Sequence, residues 1–236
     1  MDVLAASYHD GRTWPIRDIS STTLYKLPRY GIDIEMAWVD VNEERRVMNL
    51  SRWKQRLTMD RGQKNTYFAL HPQSPLPPGD RDAFTGLAYY PPDPDYRFEL
   101  ELHEHAQKKP VPMTYTKGET KTFLRWGEFR FTIRGEAQVL QAYTSSTHDL
   151  AFFVPFRDTT SGAETYGAGR YLDLKPERHL TTDGKWVLDF NQAYNPWCAY
   201  NAAYTCPFVP PENWLEVPIL VGEKQYSSTR KKSTAL

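Results

Sequence analysis

The chain has 236 residues with 29 basic and 29 acidic side chains, so no basic excess points to nucleic acid and no acidic excess to halophilic solvation. Its length allows one large domain or one domain with an appendage, and the second is expected. Aromatic residues make up 14%, including 15 Tyr and 7 Trp, a supply of large packing surface with polar handles that suits a β-rich core or a ligand cavity.

The N-terminal stretch MDVLAASYHDGRTWP lacks a basic leader running into an apolar run, and no later stretch approaches a bilayer span. A soluble, cytoplasmic protein without membrane partners is therefore expected. Residues 1–30 have no clear period and read as an extension, ordered only where Tyr8, Trp14 and Tyr25 dock.

From Val41 the pattern changes. Val41, Val47, Leu50, Trp53 and Leu57 recur at helical spacing, with Asp40 or Asn42 as N-cap and Glu43 and Glu44 in the first turn, which predicts one principal helix over 41–70. Arg45, Arg46, Arg52, Lys54 and Arg56 fill its other face and read as a solvated side. The proline-dense segment 71–98 must end the helix near Leu70. Its Leu76, Phe84, Leu87, Tyr89 and Tyr90 make it too apolar for a linker, so a packed, extended strap is expected.

Strand signals come next. YRFELELH alternates, and Lys121 to Tyr143 reads as FLRW, FRFTI and QVLQAY separated by GE and RGE turns. Asp183-Gly184 reads as a type I′ hairpin turn. The expected fold is mainly β, a curved antiparallel sheet closing into a barrel or sandwich with the helix and strap outside. The expected division is an extension over 1–40, one β-rich domain over 41–226 and a tail over 227–236.

The stretch from Phe152 to Trp214 concentrates Gly, Pro, aromatic and hydrogen-bonding residues and reads as a shaped site. Arg157, Asp158, Thr159, Thr160 and Ser161 leave a strand ending at Phe156, and Gly162 turns the chain toward Glu164 and Tyr166. Gly167-Ala168-Gly169 leaves room for a ligand or another backbone, and Arg170 offers a planar fork for an anion or for Asp158, Glu164 or Asp189. A guanidinium there cannot be buried without an acidic or anionic partner, which predicts a half-buried or buried cluster with Glu164 and Asp189 as candidates. Downstream, Asp189, Asn191, Tyr194, Cys198 and Asn201 complete the candidate ligand-binding set. The glycines fit neither a dinucleotide fingerprint nor a P-loop.

Seven residues separate Cys198 from Cys206. Two buried small hydrophobes, a disulfide, and a metal pair completed by distant ligands all remain open, with the frequent burial of free cysteine favouring the first. The six histidines are scattered: His103 and His105 read as a solvated strand edge, and His148 alone lies near the main motif. No structural zinc and no cofactor are expected. No G-x-S-x-G elbow occurs, and a Cys198–His148 hydrolase would need a proximity that spacing does not provide.

The segments HPQSPLPPGDRDAFTGLAYYPPDPDYRF, PFRDTTSGAETYGAGRYLDL and LDFNQAYNPWCAYNAAYTCPFVPPENWLEVPILVGEK resemble, in order and spacing, an uncharacterised family of bacterial and archaeal proteins known only as a domain of unknown function. The resemblance runs from about Trp53 to Lys224 and implies a single compact domain without an established activity. The residues themselves favour a β-domain that binds a small anionic molecule. The alternatives are an enzyme, a hydrolase using Glu164 and Asp189 with Arg170, and a protein-interaction module presenting the proline strap.

Overall fold

The computed structural model describes residues 41–145, 147 and 151–227. The N-terminal extension, Asp40, His148 and the tail beyond Ser227 lie outside the described residues. Among those described, the long helix is α1 (Val41–Leu70), with the bounds that the periodicity predicts. The boundary between the two units of the chain falls inside it, between Ser51 and Arg52, and the strap, the sheets and the core all belong to the unit that starts at Arg52. Val47 is 54% exposed, whereas Leu50 and Trp53 are half-buried and Leu57 is buried, so the apolar stripe takes effect after Val47. Continued at spacings of four, four, three and four, the inward stripe reads Trp53, Leu57, Arg61, Lys64, Phe68, which places two cations on the packed face. Arg46, Arg52, Lys54 and Arg56 are exposed.

The Ser74 hydroxyl donates to the Phe68 carbonyl at 2.6 Å and closes the end of α1. The strap beyond it contains the helical turn α2 (Pro78–Arg81) and a 3-10 turn, Pro94–Tyr96. There the Arg81 guanidinium gathers the carbonyls of His71, Pro72, Ser74 and Leu76. Leu76 and Leu87 pack with Phe68 and Tyr200 in a small apolar cluster, so the strap is a packed element.

Among the described residues there are seven strands: β1 (Arg97–Leu100), β2 (His103–Thr114), β3 (Thr120–Ile133), β4 (Glu136–Thr144), β5 (Phe152–Phe156), β6 (Arg170–Leu174) and β7 (Trp186–Asp189). The third α-helix, the single turn α3 (Pro176–His179), lies between β6 and β7. Strands β2 to β6 form a five-stranded sheet in chain order, and β1 pairs with β7 in a separate ribbon. Every strand pair is antiparallel. Neither sheet closes into a barrel. Leu188, Trp186, Phe98 and Leu100 of the ribbon pack with Phe129, Leu140, Val154, Phe156 and Leu172 of the sheet in one core.

Two turns differ from expectation. Gly127-Glu128 does not separate strands: Gly127 sits at a register shift within the 14-residue β3, where a Cβ would meet the His103 carbonyl oxygen at 2.7 Å. The two-residue turn with positive φ at both positions is Arg134-Gly135 (52° and 84°), closing Ile133 against Glu136. At Asp183-Gly184 only Gly184 has positive φ, so that connection is a longer turn in which Thr181 and Lys185 exchange backbone and hydroxyl bonds.

The C-terminal segment is extended without being a strand. Leu215, Val217, Ile219 and Val221 enter the core at every second residue, and the carbonyls of Ile219, Val221 and Glu223 line up two residues apart. Arg170, 1% exposed at the start of β6, gathers that row: its guanidinium donates to Val221 O at 2.5 Å, Ile219 O at 2.9 Å and Glu223 O at 3.3 Å. It also donates to the Asp158 carboxylate at 2.6 Å. Burial lowers the Arg170 pKa and the Asp158 charge opposes that shift. Asp158 is fixed in turn by the backbone N–H of Thr160 at 2.7 Å and by the Thr160 hydroxyl. Gly169 permits the approach, since its φ is +99° and a Cβ would lie 2.6 Å from the Phe156 carbonyl oxygen and 2.7 Å from Val209.

This packing sets two stability outcomes. Arg170→Met strands a buried carboxylate and should lower the unfolding free energy by about 3–5 kcal/mol. Adding Asp158→Asn should cost much less than the sum of the single changes, and urea unfolding of the three variants checks both statements. Gly169→Ala and Gly184→Ala both place alanine at positive φ, but only the first meets backbone. Gly184→Ala should cost about 1–2 kcal/mol from conformation alone, and Gly169→Ala clearly more in the same titration.

Candidate functional site

The continuation of α1 past Leu57 faces α3 and the short 3-10 turn Phe190–Gln192 across a groove. Its largest cavity, about 490 Å³, is lined by Leu57, Arg61, Lys64, Tyr89, Asn191 and Tyr194 among others. Cavities of about 230 and 160 Å³ adjoin it, the first bordered by Asp173, His179 and Asp189, the second by Trp53, Arg56 and Glu177. Arg178 and Gln192 line all three.

Each cation in the large cavity is held differently. The Lys64 ammonium lies 2.7 Å from Glu223, a fully buried carboxylate that also accepts from the Tyr200 hydroxyl and the Asn195 backbone N–H. Arg178 pairs with Asp60 at 3.2 Å across an exposed edge. The Arg61 guanidinium stacks on Tyr89, 4.3 Å from the ring centre, and donates to the Tyr90 carbonyl at 3.1 Å and the Asn191 carbonyl at 3.3 Å. Arg61 has no carboxylate partner among the described residues, and its buried Nε has no acceptor. Half-burial lowers its pKa against the opposing influence of Tyr89, Asp189 and Glu223. Burial first, then the Glu223 charge, raise the pKa of Tyr89, so its hydroxyl stays protonated.

The floor is a hydrogen-bonded frame. Asp189 at the end of β7 accepts from the Trp53 indole at 2.7 Å and from the Asn191 backbone and side chain at 3.0 and 2.9 Å. The Asn191 amide also bridges to the strap through Asp93, accepting at 2.8 Å and donating at 2.8 Å. His179 accepts the Lys175 backbone N–H on Nδ1 at 2.9 Å, which leaves Nε2 to donate to Gln192 at 3.4 Å.

The sequence-derived candidates fall into separate neighbourhoods. Asp189, Asn191 and Tyr194 line the groove. Asp158 and Arg170 form the buried pair at the start of β6, where the Asp158 carboxylate and both terminal nitrogens of Arg170 are bonded to protein groups and the Arg170 Nε has no acceptor among the described residues. Exposed Glu164 accepts from the Tyr90 hydroxyl at 3.0 Å and lies 3.6 Å from Lys224, so Glu164 and Asp189 keep different neighbours. Arg157 stacks on Trp214 at 4.7 Å, and Asn201 accepts the Ala203 N–H at 2.9 Å. Tyr166 and Cys198 meet at 3.6 Å beside Cys206. Arg61, Lys64, Arg178 and Gln192 are additions that the sequence reading does not contain. The inward spacing Trp53, Leu57, Arg61, Lys64, Phe68 is the signal that carries the first two.

Both cysteines are free thiols, Cys198 partly exposed and Cys206 buried. No group of three or more His, Cys, Asp and Glu side chains gathers within metal-binding reach among the described residues, and none of their helices is long and apolar enough to cross a membrane.

No curated protein matches the chain. Among solved structures, an uncharacterised protein from Haloarcula marismortui, determined by solution NMR, is 38% identical. The match covers 75% of this chain and 96% of that one with a TM-score of 0.59. Residues 82–224 match the family described as protein of unknown function (DUF1684), a span that includes most of the strap, both sheets, the Arg170 pair, the 3-10 turn and both cysteines. The chain belongs to that family.

Proposed function

We propose that the protein binds a small anionic molecule in the groove between α1 and the Phe190–Gln192 turn. The observation that carries this reading is Arg61, a half-buried guanidinium facing a cavity of about 490 Å³ without a carboxylate partner among the described residues. Asp189 and Glu223 act on this cation from beyond ion-pair distance, and a ligand anion in the groove would supply the direct counter-charge that stabilises a buried cation. Lys64 and Arg178 flank the position, Tyr67, Tyr89 and Tyr194 provide aromatic walls, and Asn191 and Gln192 offer amides. The cavity volume matches that of small-molecule sites. Asp189, Asn191 and Tyr194 act here as floor and wall, while Arg170 fixes the segment behind them.

Titration calorimetry with inorganic phosphate, pyrophosphate, citrate and AMP tests the reading. At least one should bind saturably, and added salt should weaken it. Arg61→Gln should reduce affinity about tenfold or more, the order expected for a charge-assisted hydrogen bond. Arg178→Gln alters an exposed side chain and should reduce affinity with stability unchanged. Absence of binding by all four anions, or affinity in both variants equal to that of the unaltered chain, would contradict the assignment.

A further inference from the structure

We propose that Cys198 and Cys206 form a thiol–disulfide exchange site whose substrate is a low-molecular-weight disulfide, Cys198 being the attacking sulfur and Cys206 the resolving one. The placement of the two residues divides these roles. Cys198 lies in the 3-10 turn Trp197–Ala199 and is partly exposed, whereas Cys206 is buried. The Cys198 backbone N–H donates to Cys206 Sγ at 3.3 Å, so the loop between them closes on itself. Cys206 is anchored on both sides of its peptide: its N–H donates to the Thr116 hydroxyl at 3.2 Å and its carbonyl accepts the Thr116 N–H at 3.0 Å. The Tyr166 hydroxyl donates to Cys198 Sγ at 3.6 Å, a contact made by the loop before β6. Trp197 and Phe208, 42% and 47% exposed, stand next to Cys198 and two residues after Cys206 in the chain.

The electrostatics agree with this division. The Cys206 thiol and the Tyr166 hydroxyl both donate toward Cys198 and bring its pKa down to about 7, so thiolate is present at neutral pH. The same hydrogen bond, followed by burial, raises the Cys206 pKa. The titratable groups that interact with the pair are Tyr115, Tyr166, Tyr171 and Tyr194.

In the first step the Cys198 thiolate attacks one sulfur of the small disulfide, forming a mixed disulfide and expelling one thiolate. Capping Cys198 removes the charge to which Cys206 donates. Cys206 then gives up its proton, attacks Cys198 Sγ and expels the second thiolate, leaving a Cys198–Cys206 disulfide. Two electrons pass from the protein dithiol to the substrate, and the two cysteine protons end on the two released thiols.

Intact-mass spectrometry and thiol counting of the full chain in glutathione buffers of graded ratio test the assignment. Oxidised glutathione should remove both free thiols with the loss of two hydrogens, and excess reduced glutathione should restore them. Cys206→Ser should accumulate a single glutathione adduct on Cys198, and Cys198→Ser should react far more slowly. Tyr166→Phe should move the midpoint of Cys198 alkylation by iodoacetamide to higher pH. Persistence of both thiols in oxidised glutathione, or equal reactivity of the two single-cysteine variants, would overturn the proposal. The wild-type mass measurement decides even if a variant does not fold.

Discussion

A guanidinium removed from water needs a counter-charge and acceptors in place of it, and at Arg170 this requirement, met at both terminal nitrogens while the buried Nε has no acceptor among the described residues, organises the C-terminal half of the molecule. Asp158 supplies the charge, while Ile219, Val221 and Glu223 supply carbonyls at every second residue of an extended segment. That segment has no strand partner for most of its length, so side-chain donors replace the ladder that would otherwise hold it. The arrangement is held more by the cost of breaking it than by net attraction, because removing either charge leaves the other buried.

The pin also positions the groove. Glu223 ends the row of carbonyls bound by Arg170, and its side chain receives Lys64, Tyr200 and the Asn195 backbone. Gly222, with φ at +78°, lets the chain pass where a Cβ would lie 2.8 Å from the Phe190 carbonyl oxygen. The turn carrying Asn191 and Gln192 is thereby packed against the C-terminal segment on one side and faces α1 on the other. An ion pair at the sheet end is thus linked through a short run of backbone to the ammonium that faces the cavity.

Much of this is legible in the sequence. The helix bounds come from the apolar period and the proline that ends it, and the antiparallel meander comes from alternation. The strap's packing comes from its aromatic content. Arg170 reads as needing an acidic partner, and Asp158, twelve residues upstream, is that partner because β5 and β6 pair Phe156 with Arg170. The sequence leaves Asp158, Glu164 and Asp189 all open and puts Glu164 and Asp189 forward, because it does not reveal the loop conformation that turns Asp158 inward. Gly127 reads as a turn because glycine marks both turns and bulges, and the approach of the His103 backbone is a tertiary fact. A hydrophobic pattern discounts cations and so passes over Arg61 and Lys64, although their helical register places them on the packed face. The alternation in LEVPILVGE is likewise present but ambiguous, since an extended segment held by arginine leaves the same trace as a strand.

Native-state hydrogen exchange tests the central claim that Arg170 welds the C-terminal segment to the sheet. The amides of Glu223 and Lys224, bonded to the carbonyls of Ala193 and Ala88, and that of Leu215, bonded to Arg157, report on the weld. Exchange at these amides should occur only through the same opening that exposes Phe156 and Leu172 in the sheet, with the same free energy and denaturant dependence. Exchange of Glu223 and Lys224 through a separate, low-energy opening while the sheet stays protected would contradict the account.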